Sequence, residues 1–251
     1  MPELLITDQN SVRFLILNRP EKRNALNDAL ISALKTELKR ADADEQLRAV
    51  VIRGAGKDFC SGADLSALQK IGESSYEENL EDAKSLAELF MIIRRAHVPV
   101  IAAVHGRALA GGCGLATGCD IVLAARSARF GYPEVKIGFV PAIVTAILRR
   151  NVSEKQAFEL ITQGFEFSAD EAKDFGLVNR VFDDGTFEHY VDDYISVYGK
   201  VSRSAVILSK KLLYQADGLD FESALGLGAK FNADARMTDD CKAGIAKFLD
   251  K

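Results

Sequence analysis

The first half of the chain alternates short apolar runs with polar turns, a pattern typical of buried strands joined by helices. The run Val12–Leu17 predicts a strand that ends in an Asn-Arg-Pro turn. Three later runs, residues 49–52, 98–104 and 121–125, are almost wholly apolar, as expected for strands that are covered on both faces. Each of these three leads into a turn that contains glycine. The succession of strand, turn, helix and strand predicts right-handed β–α crossovers and an α/β fold class.

Helical spacing first appears after the Asn-Arg-Pro turn. Leu30, Leu34 and Leu38 recur at intervals of four residues, which places them on one face of a helix. Asn27 stands immediately before this pattern, where its side chain can accept a hydrogen bond from a free amide of the first turn. The sequence therefore predicts a capped helix over residues 27–38.

The second half of the chain is predicted to be mostly helical. Ser153 and Ser168 are each followed three positions later by Gln or Glu, which is the capping-box pattern of a helix start. Further helices are predicted near residues 187–198, 204–215, 222–235 and 240–249. Apolar alternation is too weak here to predict strands, so we expect a helical extension that covers the core and supplies subunit contacts. The polar stretch 73–79 is expected to be a mobile loop.

Composition narrows the classes of protein to consider. The 251 residues are 48% hydrophobic and carry a net charge of −4, which is typical of a globular protein and argues against a general nucleic-acid binder. The four cysteines form no CxxC pair, so no zinc site is expected. No run approaches the ~20 apolar residues of a membrane helix. The N-terminus lacks the pattern of a secretory signal, and we expect a soluble, cytoplasmic protein that has no membrane partner.

A glycine pair marks the first candidate site. Gly111 and Gly112 precede the small and apolar residues 113–119, which are predicted to form a buried helix. Glycine lets a ligand approach the backbone closely, and the amides of a first helical turn have no partners within the helix. This arrangement suits an anion or a developing oxyanion, although a tight packing turn would give the same sequence. The Gly-Lys-Ser/Thr ending of a phosphate loop is absent.

A second amide donor is predicted in the turn formed by Ser61, Gly62, Ala63 and Asp64. Gly62 permits an unusual backbone conformation, and the small side chain of Ala63 leaves room for a ligand beside its amide. Two donors that converge on one oxygen form an oxyanion hole, in which each donor contributes about 3–4 kcal/mol in the transition state.

A carboxylate, Glu134, is the candidate acid/base. It follows Pro133 and is flanked by Val135 and Ile137. Partial desolvation by such neighbours raises the proton affinity of a carboxylate toward that of a useful general acid/base. A solvated glutamate near a turn is the alternative interpretation.

Taken together, these motifs resemble the crotonase (enoyl-CoA hydratase/isomerase) superfamily. Seven segments match in order: residues 18–27, 59–65, 110–113, 119–121, 130–134, 168–172 and 176–179. The resemblance implies a crotonase-like ββα spiral core over residues 1–195 and a C-terminal helical trimerisation region over residues 196–251. It also implies homotrimers or pairs of trimers that act on acyl-CoA thioesters, with coenzyme A as part of the substrate and no other cofactor.

The resemblance also implies roles for individual residues. It places the oxyanion amides at Ala63 and Gly111 and the acid/base at Glu134. The positions where the family holds CoA are Arg23, Ala25, Leu26, Ser61, Gly62, Asp64 and Leu65, with Phe248 and Lys251 supplied by a neighbouring subunit. For the last two residues, the end of an ordinary amphipathic helix with a solvated lysine is the alternative interpretation.

One departure from the family pattern bears on the reaction. Hydratases of this family usually carry a second catalytic glutamate just after the Gly-Gly-Cys segment, and Gly114 occupies that position here. Addition of water needs one group to activate the water and another to protonate the α-carbon, whereas moving a double bond needs a single base. We therefore expect isomerisation of enoyl-CoA with Glu134 as the acid/base.

Several alternatives stay open. The first is an enoyl-CoA hydratase of fatty-acid or branched-chain metabolism, and others are a hydrolase or a decarboxylase of the same superfamily. A non-catalytic CoA-binding scaffold belongs to a different class. A second departure lies at residues 141–144, where Pro, Ala, Ile and Val replace a glycine-rich turn. These bulkier residues are expected to change the acyl end of the pocket.

Overall fold

A computed structural model describes residues 1–250 of the chain, with no side-chain description for Leu65, Ser66, Leu68 and Lys70. Its strands are β1 Leu4–Gln9, β2 Val12–Leu17, β3 Ala49–Gly54, β4 Val100–Val104, β5 Arg107–Leu109, β6 Ile121–Ala125, β7 Arg129–Gly131, β8 Glu166–Ser168 and β9 Arg180–Phe182. Its α-helices are α1 Asp28–Ala43, α2 Leu65–Glu73, α3 Tyr76–Arg95, α4 Gly111–Thr117, α5 Ala142–Asn151, α6 Glu154–Gln163, α7 Ala169–Asp174, α8 Phe187–Ser196, α9 Arg203–Gln215, α10 Phe221–Met237 and α11 Asp239–Leu249.

The central sheet has six strands in the order β1-β2-β3-β4-β6-β9. β1 is antiparallel to β2 and the other neighbours are parallel. β4 is buried along its whole length because its two faces contact different apolar clusters. Ala102 and Val104 face the cluster that contains α1, α3 and α4, while Ile101 and Ala103 face the cluster formed with α8. This two-sided burial explains the nearly continuous apolar runs in the sequence.

A smaller sheet, in the order β5-β7-β8, stands beside the first. Cys60 extends it through a parallel bridge to Ala108. The same unit therefore recurs along the chain. It consists of a strand of the large sheet, a short strand of the small sheet and a helix, as in β4-β5-α4. This repetition confirms the predicted ββα spiral core, and α9, α10 and α11 form the predicted helical region at the C-terminal end.

The predicted helix starts are confirmed by their caps. The Asn27 side chain accepts a hydrogen bond from the Leu30 amide at 2.8 Å. Complete capping boxes are present at Ser153 and Ser168. The expected mobile loop at residues 73–79 is wrong, because α2 runs to Glu73 and a third capping box at Ser75 starts α3 directly afterwards.

Two strands in the second half of the chain were not predicted from the sequence. β8 and β9 are three residues each, too short to show an alternating pattern. β9 closes the edge of the large sheet beside β6, and β8 pairs with β7 in the small sheet. No helix among residues 1–250 is long and apolar enough to cross a bilayer.

A buried polar cluster attaches α9 to the core. Asp120, at the start of β6, accepts hydrogen bonds from the Val100 amide at 2.7 Å, from Lys210 Nζ at 2.7 Å and from the Tyr214 hydroxyl at 2.5 Å. Lys210 also donates to the carbonyl oxygens of Ile93 and Val98. Burial, together with the Asp120 carboxylate, raises the pKa of Tyr214, so its hydroxyl stays protonated as a donor.

We expect the Asp120 cluster to dominate the stability of the junction between core and helical region. Asp120→Asn leaves the buried Lys210 ammonium without its carboxylate and should lower the free energy of unfolding by about 3–5 kcal/mol. Tyr214→Phe removes one hydrogen bond and should cost about 1 kcal/mol. Urea unfolding measures both, with Glu81→Gln of the exposed Lys84–Glu81 pair as the control, for which the change should stay below about 1 kcal/mol. Equal stability of Asp120→Asn and Glu81→Gln would contradict this.

Candidate active site

The turn at residues 61–64 directs the Ala63 amide away from the segment that contains Leu26. Leu26 pairs with this turn, donating from its amide to the Gly62 carbonyl at 2.7 Å and accepting from the Asp64 amide at 2.9 Å. In a parallel bridge of this kind, the amide of the intervening residue points to the opposite side. Gly62 has φ +97°, a conformation that favours glycine.

The Gly111 amide lies at the start of α4, next to the same turn. A Cβ atom on Gly62 would lie 3.5 Å from the Gly111 nitrogen, which shows how closely the two segments approach. Ala110, which precedes α4, has φ 49° and ψ −127°, a strained conformation for a residue with a side chain. Neither the Ala63 nor the Gly111 amide donates to an acceptor within residues 1–250. Among the described residues, neither amide is therefore blocked by a protein acceptor, and each can donate to a ligand.

Gly112 permits this close approach. A Cβ atom at that position would overlap the carbonyl oxygen and the side chain of Cys60, so the start of α4 can pack against the Cys60 backbone only with glycine. The same segment is fixed from the other side, where the Cys60 amide donates to the Arg107 carbonyl at 3.0 Å and its carbonyl accepts from the Leu109 amide at 2.9 Å.

Glu134 lies in the 3-10 turn Pro133–Ile137 that follows β7. Its Oε2 atom is buried and has no hydrogen-bond partner among the described residues. Burial raises the pKa of this carboxyl above its ordinary value of 4.5. The backbone fixes the turn, since the Glu134 carbonyl accepts a hydrogen bond from the Phe139 amide at 3.0 Å.

Two buried residues, Cys113 and Tyr132, lie near Glu134. Burial raises the pKa of the Cys113 thiol to about 12, and the Glu134 carboxylate adds to this effect. Tyr132 is also fully buried, and its hydroxyl lies 3.1 Å from the Thr117 hydroxyl. Cys113 is therefore a packed thiol rather than a nucleophile.

The segment of residues 19–26 and the turn of residues 61–64 are held together by a buried ion pair. Asp64 is 4% exposed, and its Oδ2 atom lies 2.5 Å from the Arg19 guanidinium and 3.4 Å from Lys22 Nζ. Arg19 also donates to the Ala25 carbonyl. The Asp64 side chain thus fixes the segment in place. Sequence analysis did not predict this role of Arg19. The sequence showed only that Arg19 lies in the turn before the predicted helix.

The structure brings most of the predicted CoA-binding positions into one region. Arg23 is exposed with φ 50°, and its carbonyl accepts a hydrogen bond from the Ser61 amide at 3.0 Å. Ala25 and Leu26 are buried beneath it. Asn24 ties the segment to the turn after β3, since its side chain donates to the Asp58 carbonyl at 2.7 Å.

Leu65 follows the turn directly and begins α2. The other two predicted positions are at the C-terminal end of the chain. Phe248 is 77% exposed near the end of α11, which packs on α9 and α10. Lys251 lies outside the described residues.

Two amides and one carboxylate of raised pKa are suited to a specific kind of chemistry. The amides can stabilise negative charge on a carbonyl oxygen, and the carboxylate can take a proton from a neighbouring carbon and return it. The combination fits a reaction that passes through an enolate. Within the described residues, no group of three or more His, Cys, Asp or Glu side chains is placed to hold a metal ion.

Comparison with known proteins gives a consistent result. The family model described as enoyl-CoA hydratase/isomerase matches residues 7–251. A Thermus thermophilus protein that carries the name enoyl-CoA hydratase is 41% identical, over 97% of this chain and 96% of its own length. The 2,3-dehydroadipyl-CoA hydratase of Escherichia coli is 34% identical, over 100% of this chain and 97% of its own.

A solved structure agrees with the sequence matches. The crystal structure of an enoyl-CoA hydratase from Mycobacterium smegmatis superposes with a TM-score of 0.96 at 36% identity, covering 100% of this chain and 97% of that one. The resemblance found in the sequence is confirmed, and the chain is an enzyme that belongs to the enoyl-CoA hydratase/isomerase family.

Proposed function

We propose that this enzyme moves the double bond of an enoyl-CoA thioester between the β,γ and α,β positions, with Glu134 as the single acid/base. The observation that carries the proposal is the buried Glu134 Oε2 atom, which has no partner among the described residues. A carboxylate oxygen in that state is free to exchange a proton with a substrate carbon. Gly114, where the family usually has its second glutamate, provides no second carboxylate.

The reaction follows from the geometry of the site. The Glu134 carboxylate takes a proton from the α-carbon, and the electron pair of the C–H bond moves into the thioester to give a dienolate. The amides of Ala63 and Gly111 hold the resulting oxyanion, each contributing about 3–4 kcal/mol. Glu134 then returns the proton to the γ-carbon, and the double bond lies in conjugation with the carbonyl.

The raised pKa of Glu134 suits both halves of this cycle. A carboxylate of ordinary pKa is a weak base toward carbon, and burial strengthens it. The same burial disfavours the charge, so that the protonated form persists long enough to donate to the γ-carbon.

Binding of the CoA portion is assigned to the segment and turn described above. The positions are Arg23, Ala25, Leu26, Ser61, Gly62, Asp64 and Leu65. Arg23 and Lys22 are more than half exposed and offer cationic groups for phosphate. Asp64 would act through its backbone, because its carboxylate is paired with Arg19.

Assembly into trimers, or into pairs of trimers, completes the proposal. The helical region over residues 196–251 exposes several large apolar side chains, namely Leu213, Phe221, Leu225, Met237, Ile245, Phe248 and Leu249. Large exposed apolar side chains in this number are typical of subunit contacts. In such an assembly Phe248 and Lys251 of one subunit would close the CoA pocket of the core, residues 1–195, of its neighbour.

Hydration is the second candidate function, and the names of the relatives favour it. The Escherichia coli and Mycobacterium smegmatis proteins are both called hydratases. Hydration here would require Glu134 and backbone groups to hold the water without a second carboxylate.

Substrate preference tests the proposal directly. We expect the enzyme to convert trans-3-hexenoyl-CoA to the 2-enoyl ester and to hydrate crotonyl-CoA slowly. Glu134→Gln should lower kcat for the isomerisation by about 10²–10⁴-fold with little change in KM, since it removes the base and keeps the shape. Glu159→Gln, at an exposed position in the middle of α6, is the matched control and should leave kcat unchanged.

Two outcomes would overturn the proposal. Rapid hydration of crotonyl-CoA with no reaction of the 3-enoyl ester would make the enzyme a hydratase. CoA affinity without turnover of either ester would favour the non-catalytic scaffold.

The pH dependence follows from the raised pKa of Glu134. The base form acts, so kcat/KM should fall as pH is lowered through a pKa above 4.5. Because the folded-state pKa exceeds the unfolded value, ionisation opposes folding above the folded pKa, and this cost disappears below the unfolded one. Glu134→Gln should therefore be at least as stable as the wild type at pH 7, as measured by thermal unfolding. Marked destabilisation at pH 7 would indicate a structural role instead.

A further inference from the structure

Gly114 lies on a face of α4 that two other helices approach closely. A Cβ atom at Gly114 would overlap Val144 Cγ1 of α5 and would lie 3.4 Å from the Phe90 ring of α3. One turn later, a Cβ atom at Gly118 would lie 3.2 Å from Phe90 and 3.3 Å from Ile147. The space beside position 114 is therefore filled by Val144, which is 3% exposed.

This packed space lies next to the candidate active site. Gly111, which presents one of the two free amides, is three residues before Gly114, so Gly114 is about 4.5 Å further along the helix on nearly the same face. The residue between the glycine pair and Gly114 is Cys113, whose pKa is affected by the Glu134 charge. A side chain at position 114 would thus start between α4 and α5, within one helical turn of the Gly111 amide.

We propose that Val144 determines the reaction specificity of the site, because its side chain occupies the space that an acid/base side chain at position 114 would need. The inference rests on the proposed function and extends it. Replacement of Gly114 by glutamate is not sufficient to add a second carboxylate to the site. The Val144 side chain of α5 must also be made smaller or move away. Gly114 and Val144 act as a steric pair that keeps Glu134 alone beside the reacting carbons.

The chemistry that Val144 excludes can be stated in full. In hydration, one carboxylate accepts a proton from water as the water oxygen bonds to the β-carbon, and a carboxylic acid donates a proton to the α-carbon. With a glutamate at position 114, that residue could activate the water while protonated Glu134 served as the acid. Val144→Ala would remove the overlap at the first atom of that side chain, because the nearest remaining atom of residue 144 is its Cβ, 3.4 Å from the added Cβ.

Thermal unfolding tests the steric pair independently of the reaction. Alanine is normally preferred to glycine inside a helix, so Gly114→Ala should raise Tm where space allows. In the wild type we expect it instead to lower Tm by about 5 °C, because it overlaps Val144. In the Val144→Ala background the same substitution should leave Tm unchanged or raise it.

Leu148→Ala provides the matched background. Leu148 is fully buried one turn further along α5, and a Cβ at position 114 would have Val144 and Phe90, not Leu148, as its nearest neighbours. Gly114→Ala should therefore still lower Tm in that background. If Gly114→Ala changed Tm equally in the wild type, in Val144→Ala and in Leu148→Ala, the proposal that Gly114 and Val144 form a steric pair would be wrong.

Hydration of crotonyl-CoA tests the functional part. Gly114→Glu alone should hydrate no faster than the wild type, whereas Gly114→Glu with Val144→Ala should hydrate about 10²-fold faster or more. Equal gains in the single and double variants, or no gain in the double variant, would overturn the role of Val144. Rapid hydration by the wild type would instead contradict the proposed isomerase function, and the Tm series would still decide the steric pair.

Discussion

The close approach of α4 to the backbone at Cys60 is the constraint on which the site depends. Gly112 permits it, and no other residue could do so without moving the Cys60 carbonyl. Because Cys60 is bonded to β5 on one side and the following turn is bonded to Leu26 on the other, the approach holds the turn of residues 61–64 against the start of α4. In the proposed reaction, the amides of Ala63 and Gly111 would therefore need little reorganisation to receive an oxyanion.

The site carries costs that the surrounding structure offsets. Ala110 holds a backbone conformation that costs on the order of 1–3 kcal/mol. At Glu134, a buried carboxylate oxygen that has no partner among the described residues adds a desolvation cost. The Glu134 turn lies between β7 and α5, and both are packed on the main apolar cluster. A rigid core of this kind can hold groups in states that favour reaction over stability.

Sequence reasoning was most successful where the physical cause is local. The caps at Asn27, Ser153 and Ser168 depend on residues three positions away, and the apolar runs report burial on both faces of a strand. The partial burial of Glu134 was predicted from Val135 and Ile137, but Ile137 is 67% exposed, and the buried residues near Glu134 include the non-local Cys113. The short strands β8 and β9 could not be predicted, because three residues do not show a period.

Contacts between distant residues were the features that the sequence alone could not provide. Asp120 pairs with Lys210, 90 positions away, and Arg19 with Asp64, 45 positions away. Neither pair has a local pattern. The fit of Val144 to Gly114 is of the same kind: the unusual residues 141–144 were noted in the sequence, but only the fold shows what they contact.

The central claim is that one carboxylate carries a proton from the α-carbon to the γ-carbon of an enoyl thioester. The most direct test is conversion of 3-hexenoyl-CoA that is dideuterated at C2, in ordinary water, with mass and NMR analysis of the product. Since Glu134 Oε2 is shielded from solvent, we predict that part of the deuterium appears at C4 of 2-hexenoyl-CoA. A product that carries no deuterium at C4, or one that is a 3-hydroxyacyl-CoA, would contradict the account.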